Sequence, residues 1–209
     1  MNNNLIPNLL DVSLCLVALF ISVRSFDIYS RSGQFRVLIL GLSMALVSLS
    51  AAADFTSSYI RAITLHTEWF LYIGQAVGFL FILLSLVQSS DKYLRGLMRL
   101  NIAAFALLLI LLLLSPALPK MDVVTQTLLN LTRFIICLLI FFVYFTANMS
   151  KPTRFSIFMS ISFFFFTADY LMTVEQNFTP VLNQYLVVAL ADVAGVMALV
   201  LLVGAMSWE

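Results

Sequence analysis

The run "IAAFALLLILLLLSPAL", residues 102 to 118, contains no charged residue and consists almost entirely of Leu, Ile and Ala. A helix of about 20 mainly apolar residues is long enough to cross the hydrocarbon core of a bilayer. The run therefore predicts a membrane-spanning helix. Because it has no polar anchor, we expect it to face lipid and to link other helices rather than to line a site.

The rest of the chain has the same character. Of its 209 residues, 62% are hydrophobic and 10% are charged, whereas soluble domains are about 45 to 50% apolar and about 25% charged. Seven stretches reach spanning length, so we predict an all-α, polytopic membrane protein with seven transmembrane helices in one domain, residues 1 to 209. The predicted helices are Leu9 to Ser25, Phe35 to Thr56, Trp69 to Gln88, Leu97 to Ala117, Val124 to Asn148, Phe155 to Val174 and Leu182 to Met206.

The basic residues predict the orientation of these helices, since Lys and Arg in short loops are retained on the cytoplasmic side. Most of them fall in the first, third and fifth loops, and only Arg61 and Lys120 fall in loops on the other side. We therefore predict a multi-pass protein of the cell membrane with its N-terminus outside and its C-terminus inside. The cytoplasmic set is Arg24, Arg31, Arg36, Lys92, Arg95, Arg99, Lys151 and Arg154.

Two parts of the chain resemble each other. The segments "NLLDVSLCLVALF" from residue 8 and "NLTRFIICLLIFF" from residue 130 share an Asn and a Cys at the same spacing, and an Ala-Asp pair closes the second helix of each part, at Asp54 and Asp169. These similarities predict parallel three-helix repeats, residues 5 to 90 and 124 to 206, joined by a linker helix, residues 97 to 117. The alternative is that Leu-rich helices align without a duplication, and the sequence leaves both open.

Charged residues inside the predicted spans are the best indication of function. An ionisable side chain at the bilayer centre costs roughly 2.5 to 3.5 kcal/mol on insertion scales, so it normally faces the bundle interior and has a partner. Arg133 and Asp192 are the deepest, and Asp169 and Asp54 lie nearer the outer helix ends. We predict that Arg133 lies within about 4 Å of a carboxylate oxygen of Asp192 or Asp169, with Gln75 adding polar lining. The pair is either a structural clamp or part of a ligand pocket open to the outside.

The sequence also indicates which functions to leave aside. His66 is the only histidine and the two cysteines lie in apolar runs, so we expect no metal and no cofactor. No motif of a nucleophile with its base, or of a phosphate-binding loop, is present, and we expect no enzymatic activity. The net charge is +1 without a basic tail, which argues against nucleic acid as a partner. The lipid bilayer is the expected partner, and an oligomer is compatible with the sequence.

The N-terminal half resembles the seven-helix sensor region that precedes bacterial histidine kinases, through the basic segment "VRSFDIYSRSGQFR", Asp54 and the segment "EWFLYIGQAVGF". The resemblance implies a sensor that signals through another protein. The helix arrangement is also similar to that of the SWEET and PQ-loop transporters, although their Pro-Gln pair is absent. We therefore expect a stand-alone sensor or receptor-like module that binds a small ligand from the outer side. The alternatives are a small-solute or proton-coupled transporter and a structural subunit of a membrane complex.

Overall fold

All regular elements in the described part of the chain are helices, which confirms the all-α prediction. The computed structural model describes residues 5–59, 66–88, 90–150, 152–178 and 200. Apart from residue 200, the predicted seventh helix lies outside these residues, and so does Asp192. The helices are α1 (Leu5–Ser32), α2 (Phe35–Tyr59), α3 (Glu68–Val87), α4 (Asp91–Leu113), α5 (Val123–Ser150) and α6 (Arg154–Phe178), with a 3₁₀ turn at Ser115–Ala117.

Five segments of these helices are long and apolar enough to cross a membrane, which makes the chain a helical, multi-pass membrane protein. The least enclosed is α4, in which only 17% of the most apolar window is buried. The segments are Phe35–Thr56, Glu68–Val87, Asp91–Leu113, Val123–Ser150 and Arg154–Val174.

The first connection is much shorter than predicted. Helix α1 continues through Arg24 and Arg31, which the sequence placed in the first loop, and it ends only at Ser32. Gly33 then has a φ of +68°, and its N–H donates a hydrogen bond of 2.8 Å to the carbonyl of Tyr29. A left-handed glycine with this hydrogen bond is a common helix C-terminus. Hydropathy marked the end of the apolar run, whereas the glycine determines the end of the helix.

Helix α4 differs from its prediction at both ends. It begins at Asp91, six residues before the predicted start, because charged residues such as Lys and Arg are good helix formers and Asp91 is favourable in a first turn. It ends at Leu113 and not at Ala117. Pro116 explains this end, since proline lacks the N–H of a regular helix and its ring collides with the carbonyl four residues earlier.

The described chain divides into two compact units, and the first contains residues 14 to 121. In this unit α2 packs on α3 and α4 around two groups of buried apolar side chains. Helix α1 approaches α2 at Gly41, where a Cβ atom would lie only 3.0 Å from the Cβ of Ser25. Small residues permit this close approach of helix backbones, which is typical of membrane proteins. The buried apolar residues are Ile39, Phe81, Leu94 and Leu97 in one group, and Leu46, Phe70 and Leu108 in the other.

The described core of the second unit is the pair α5 and α6. Helix α5 begins at Val123, where the Asp122 carboxylate accepts a hydrogen bond of 3.2 Å from the N–H of Thr125. Hydrogen bonds from Thr125 hold the pKa of the Asp122 carboxyl below its usual value. One face of α5 is buried at helical spacing, and the opposite face exposes large apolar side chains. The buried face contains Thr127, Asn130, Arg133, Cys137, Ile140 and Tyr144, and the exposed face Leu128, Leu131, Ile135, Leu139 and Phe142.

The four phenylalanines that precede the Ala-Asp pair of α6 divide between two environments. Phe163 and Phe166 are buried, with ring centroids 6.0 Å apart, and Phe163 also stacks on Tyr144 of α5. Phe164 is 53% exposed. Because a helix has about 3.6 residues per turn, neighbouring residues face different directions. Some of the phenylalanines therefore pack in the core, and others cover the outer surface.

Candidate functional site

Arg133 faces the interior of the α5–α6 unit. It lies ten residues after the start of α5 at Val123, about 15 Å along the helix at 1.5 Å per residue, and it is only 5% exposed. Its guanidinium donates a hydrogen bond to Oδ1 of Asn130, one turn earlier, and lies over the ring of Tyr170, 4.6 Å from the ring centroid. A neutral amide and an aromatic face thus both stabilise the cation.

Asn130 has a donor whose acceptor is not among the described residues. Its side chain is fully buried, and its Oδ1 accepts from a guanidinium that can only donate, which identifies the remaining atom as the Nδ2 donor. No acceptor for Nδ2 is present in the described part of the chain. A buried donor without an acceptor costs about 1 to 3 kcal/mol. The acceptor must therefore come from elsewhere, either from another part of the chain or from a bound molecule.

Asp169 belongs to the same neighbourhood. It is half-buried on α6, next to the buried Tyr170. Both Asp169 and Arg133 act electrostatically on the Cys137 thiol and on the Tyr170 hydroxyl. Helix α6 continues to Phe178, but its apolar span ends at Val174, so Asp169 lies about 8 Å from the end of the span. The contact of Arg133 with a carboxylate within 4 Å stays a prediction.

In the first unit, Asp54 is held near the end of α2. Its Oδ1 accepts a hydrogen bond of 3.0 Å from the hydroxyl of Thr67, a residue that is 2% exposed and directly precedes α3. Glu68, the first residue of α3, also acts electrostatically on this carboxylate. The contact fixes the end of α2 against the start of α3.

Gln75 also faces the interior of the first unit. It is 4% exposed on α3. Its neighbour Gly74 brings the α3 backbone close to α2, since a Cβ there would lie 3.1 Å from the Cβ of Ser50. Of the sequence-predicted residues, Asp54 and Gln75 thus belong to one unit and Arg133 and Asp169 to the other.

Sequence analysis missed the buried polar contact of α4. Asn101, which directly precedes the apolar run, is fully buried, and its Nδ2 donates a hydrogen bond of 3.1 Å to the hydroxyl of Ser43 on α2. The signal was a single Asn inside the segment "RLNIAAF". We expected a helix without a polar anchor, and the anchor lies one residue before the run.

The described residues contain no group of three His, Cys, Asp or Glu side chains that could hold a metal ion. Cys15 and Cys137 are free thiols in different units. The hydroxyl of Ser48 on α2 donates a hydrogen bond of 2.9 Å to the carbonyl of Cys15, which is a contact between two helices of the first unit.

Comparisons with protein families, curated proteins and solved structures found no match to this chain. The fold defines its class, a helical multi-pass membrane protein. The buried polar groups of the described helices are the features of this chain that bear on its function.

Proposed function

We propose that this protein is a seven-helix sensor of the cell membrane that binds a small ligand from the outer side and signals through a protein partner. Its N-terminus lies outside and its C-terminus inside. One observation carries the proposal: Asn130 is fully buried beside the cation of Arg133, and its Nδ2 donor has no acceptor among the described residues.

The chemistry of these two residues indicates the class of ligand. A guanidinium only donates hydrogen bonds, and Nδ2 of Asn130 is also a donor, so together they suit an acceptor with negative charge. Charge-assisted hydrogen bonds to a carboxylate are about twice as strong as neutral ones. The ring of Tyr170 supports the guanidinium from one face. We therefore propose a small carboxylate as the ligand.

The position of the cluster supports access from the outside. Helices α5 and α6 run in opposite directions, with Tyr144 near Phe155 at one end and Arg133 near Tyr170 towards the other. Arg154 begins α6 at the end away from Arg133. Since basic residues mark the cytoplasmic side, Arg133 is expected in the outer half of the membrane.

The parallel three-helix repeats remain part of the proposal. They require residues 5 to 90 to superpose on residues 124 to 206 by a rotation about the membrane normal, with Cys15 over Cys137 and Arg36 over Arg154. An experimental structure that needs an axis in the membrane plane would contradict the duplication.

Ligand binding is the direct test of the proposal. The purified protein in lipid nanodiscs is titrated with small mono- and dicarboxylates and with their neutral amides, and thermal unfolding is followed. At least one carboxylate should raise the melting temperature, and its amide should not. Asn130→Leu should weaken binding of that carboxylate about tenfold, which corresponds to loss of one charge-assisted hydrogen bond. Thr132→Val is the matched control, because Thr132 is exposed on the same helix.

Other outcomes point to the alternative functions. Net uptake of the carboxylate by proteoliposomes would identify a transporter. A protein that binds none of the compounds and is stable only with a copurified membrane partner would be a structural subunit. A sensor binds without net uptake and copurifies with a signalling protein.

A further inference from the structure

Three exposed basic residues follow one face of the first turns of α4. Lys92, Arg95 and Arg99 are spaced by three and four residues, so they lie on the same side of the helix. With Gly96 they line a groove of about 390 Å³. A Cβ atom added to Gly96 would meet no atom within 4 Å, so the floor of the groove is open.

The charge of this groove is not neutralised within the described part of the chain. Lys92, Arg95 and Arg99 make no ion pair there. Arg24 and Arg31 of the same unit differ, because both pair with the Asp27 carboxylate at 3.0 Å. The groove therefore brings together three cations that have no ion-pair partner among the described residues.

One contact fixes the position of the Arg95 side chain beside the groove. The guanidinium of Arg95 lies over the ring of Phe35, the first residue of α2, 5.5 Å from the ring centroid. The cation–π contact keeps the guanidinium beside the helix, where its remaining donors are available to an anion.

The same face of α4 continues as an aliphatic surface. Later in α4, four exposed apolar residues follow the basic residues at helical spacing: Ile102, Ala106, Ile110 and Leu113. Ile102 is 51% exposed and Leu113 is 79% exposed. The opposite face packs into the unit. Its buried residues are Leu94, Leu97, Asn101 and Leu108.

We propose that this face of α4 binds an anionic phospholipid. The lipid phosphate lies in the groove between Lys92, Arg95 and Arg99, and the acyl chains lie along Ile102 and Ile110. A guanidinium can donate two parallel hydrogen bonds to the oxygens of a phosphate. Clusters of basic residues at a membrane surface bind anionic lipids. A free phosphate would use the groove alone, whereas the aliphatic continuation along one helix face fits only a molecule with both a charged head and apolar chains.

Native mass spectrometry of the full-length protein tests the proposal. The protein is purified in detergent and mixed with phosphatidylglycerol and phosphatidylcholine of identical acyl chains. The wild type should retain the anionic lipid in preference to the zwitterionic one. In Arg99→Gln the preference should fall about fivefold, as expected for one surface charge. The triple variant Lys92→Gln/Arg95→Gln/Arg99→Gln should retain both lipids equally.

A matched control separates the groove from total charge. The triple variant Arg24→Gln/Arg31→Gln/Arg36→Gln removes the same number of charges from the first unit and should keep the preference of the wild type. Inorganic phosphate should not displace the bound lipid at equal concentration. Equal retention of the two lipids by the wild type, an equal loss in both triple variants, or displacement by phosphate alone would each overturn the proposal. Because Arg99 is exposed and does not take part in the Phe35 contact, the single variant gives a result even if a triple variant fails to fold.

Discussion

At the scale of single residues, Arg133 shows how a charge is accommodated inside an apolar helix pair. Its cation is over the Tyr170 ring and bonded to Asn130, so part of its lost hydration is replaced by protein groups. The Nδ2 donor of Asn130 takes no part in this contact and has no acceptor among the described residues. Such a donor is compatible with both interpretations: a structural clamp would supply the acceptor from another part of the chain, and a ligand pocket would supply it from a bound molecule.

Substitution of Arg133 tests whether its partner is the amide of Asn130 alone or a buried carboxylate as well. Arg133→Met keeps the volume and removes the donors, which leaves Oδ1 of Asn130 without its hydrogen bond and lowers the free energy of unfolding by about 1 to 3 kcal/mol. If a buried carboxylate also pairs with Arg133, the loss is about 3 to 5 kcal/mol. Unfolding by denaturant in detergent micelles measures the difference, with Thr132→Val as the control.

The double variant Arg133→Met/Asn130→Leu completes this test. Replacing both partners by apolar groups should recover most of the loss if Asn130 is the main partner. A double variant as unstable as Arg133→Met alone would instead show that the stranded group is an acid, as the sequence predicted for Asp169 or Asp192. A stable double variant that no longer binds the ligand favours the pocket, and one that still binds it favours the clamp.

At the scale of helices, the chain is organised by small residues and by a few special backbone positions. Gly41 and Gly74 allow α2 to approach α1 and α3, and a side chain at Gly78 would meet the carbonyl of Ser43 at 3.1 Å. Gly33 ends α1 through its positive φ. Glycine thus has two roles here, close approach within a bundle and termination of a helix.

Replacement of glycine by alanine should change the free energy of unfolding in opposite directions at Gly33 and at Gly96. Gly33→Ala places a Cβ in the left-handed region and should lower the free energy of unfolding by about 1 to 2 kcal/mol. Gly96→Ala lies inside α4 with open space around its Cβ, and should raise the same free energy by about 0.5 to 1 kcal/mol. Denaturant unfolding of both variants under identical conditions measures the two signs. Stabilisation by Gly33→Ala would show that the turn after α1 is not the left-handed one described here.

The central parts of the described helices and several of their ends, such as the start of α2 at Phe35, could be predicted from the sequence, whereas the charged ends of α1 and α4 and the contacts between helices could not. Apolar runs of spanning length are a strong local signal, which is why the five described spans coincide with predicted helices. The charged ends of α1 and α4 were not predicted as helical. Their Lys and Arg residues lower the local hydropathy, although both residue types have a high helix propensity. The bonds of Thr67 with Asp54 and of Asn101 with Ser43 join different helices, and their formation depends on helix rotations that a single sequence does not specify.

At the scale of the whole molecule, the proposed orientation in the membrane depends on where the basic residues lie. In the structure these basic residues are part of helices and not of loops, since Arg24 and Arg31 are on α1 and Lys92 and Arg95 are on α4. These positions are still within one to three turns of the short connections, inside the range over which Lys and Arg bias topology. Asp27 pairs with both Arg24 and Arg31 and offsets one of their two charges, but acidic residues contribute little to this bias.

Reporter fusions test the orientation and the number of spans together. With the N-terminus outside, reporters placed after Gly33, after Gln88 and after Glu209 should all be cytoplasmic, and a reporter after Lys120 should be on the outer side. The first junction is placed at Gly33, because a fusion at Ser25, the predicted end of the first helix, would interrupt α1 before its last turns. The fusion after Glu209 is the decisive one, since an even number of spans would move it to the outer side while the other three reporters stay as predicted. An outer signal there would contradict the seventh span and with it the parallel repeat. The reporter after Lys120 tests the position of Arg133, because α5 begins just after it at Val123, so an outer signal there would agree with Arg133 in the outer half of the membrane.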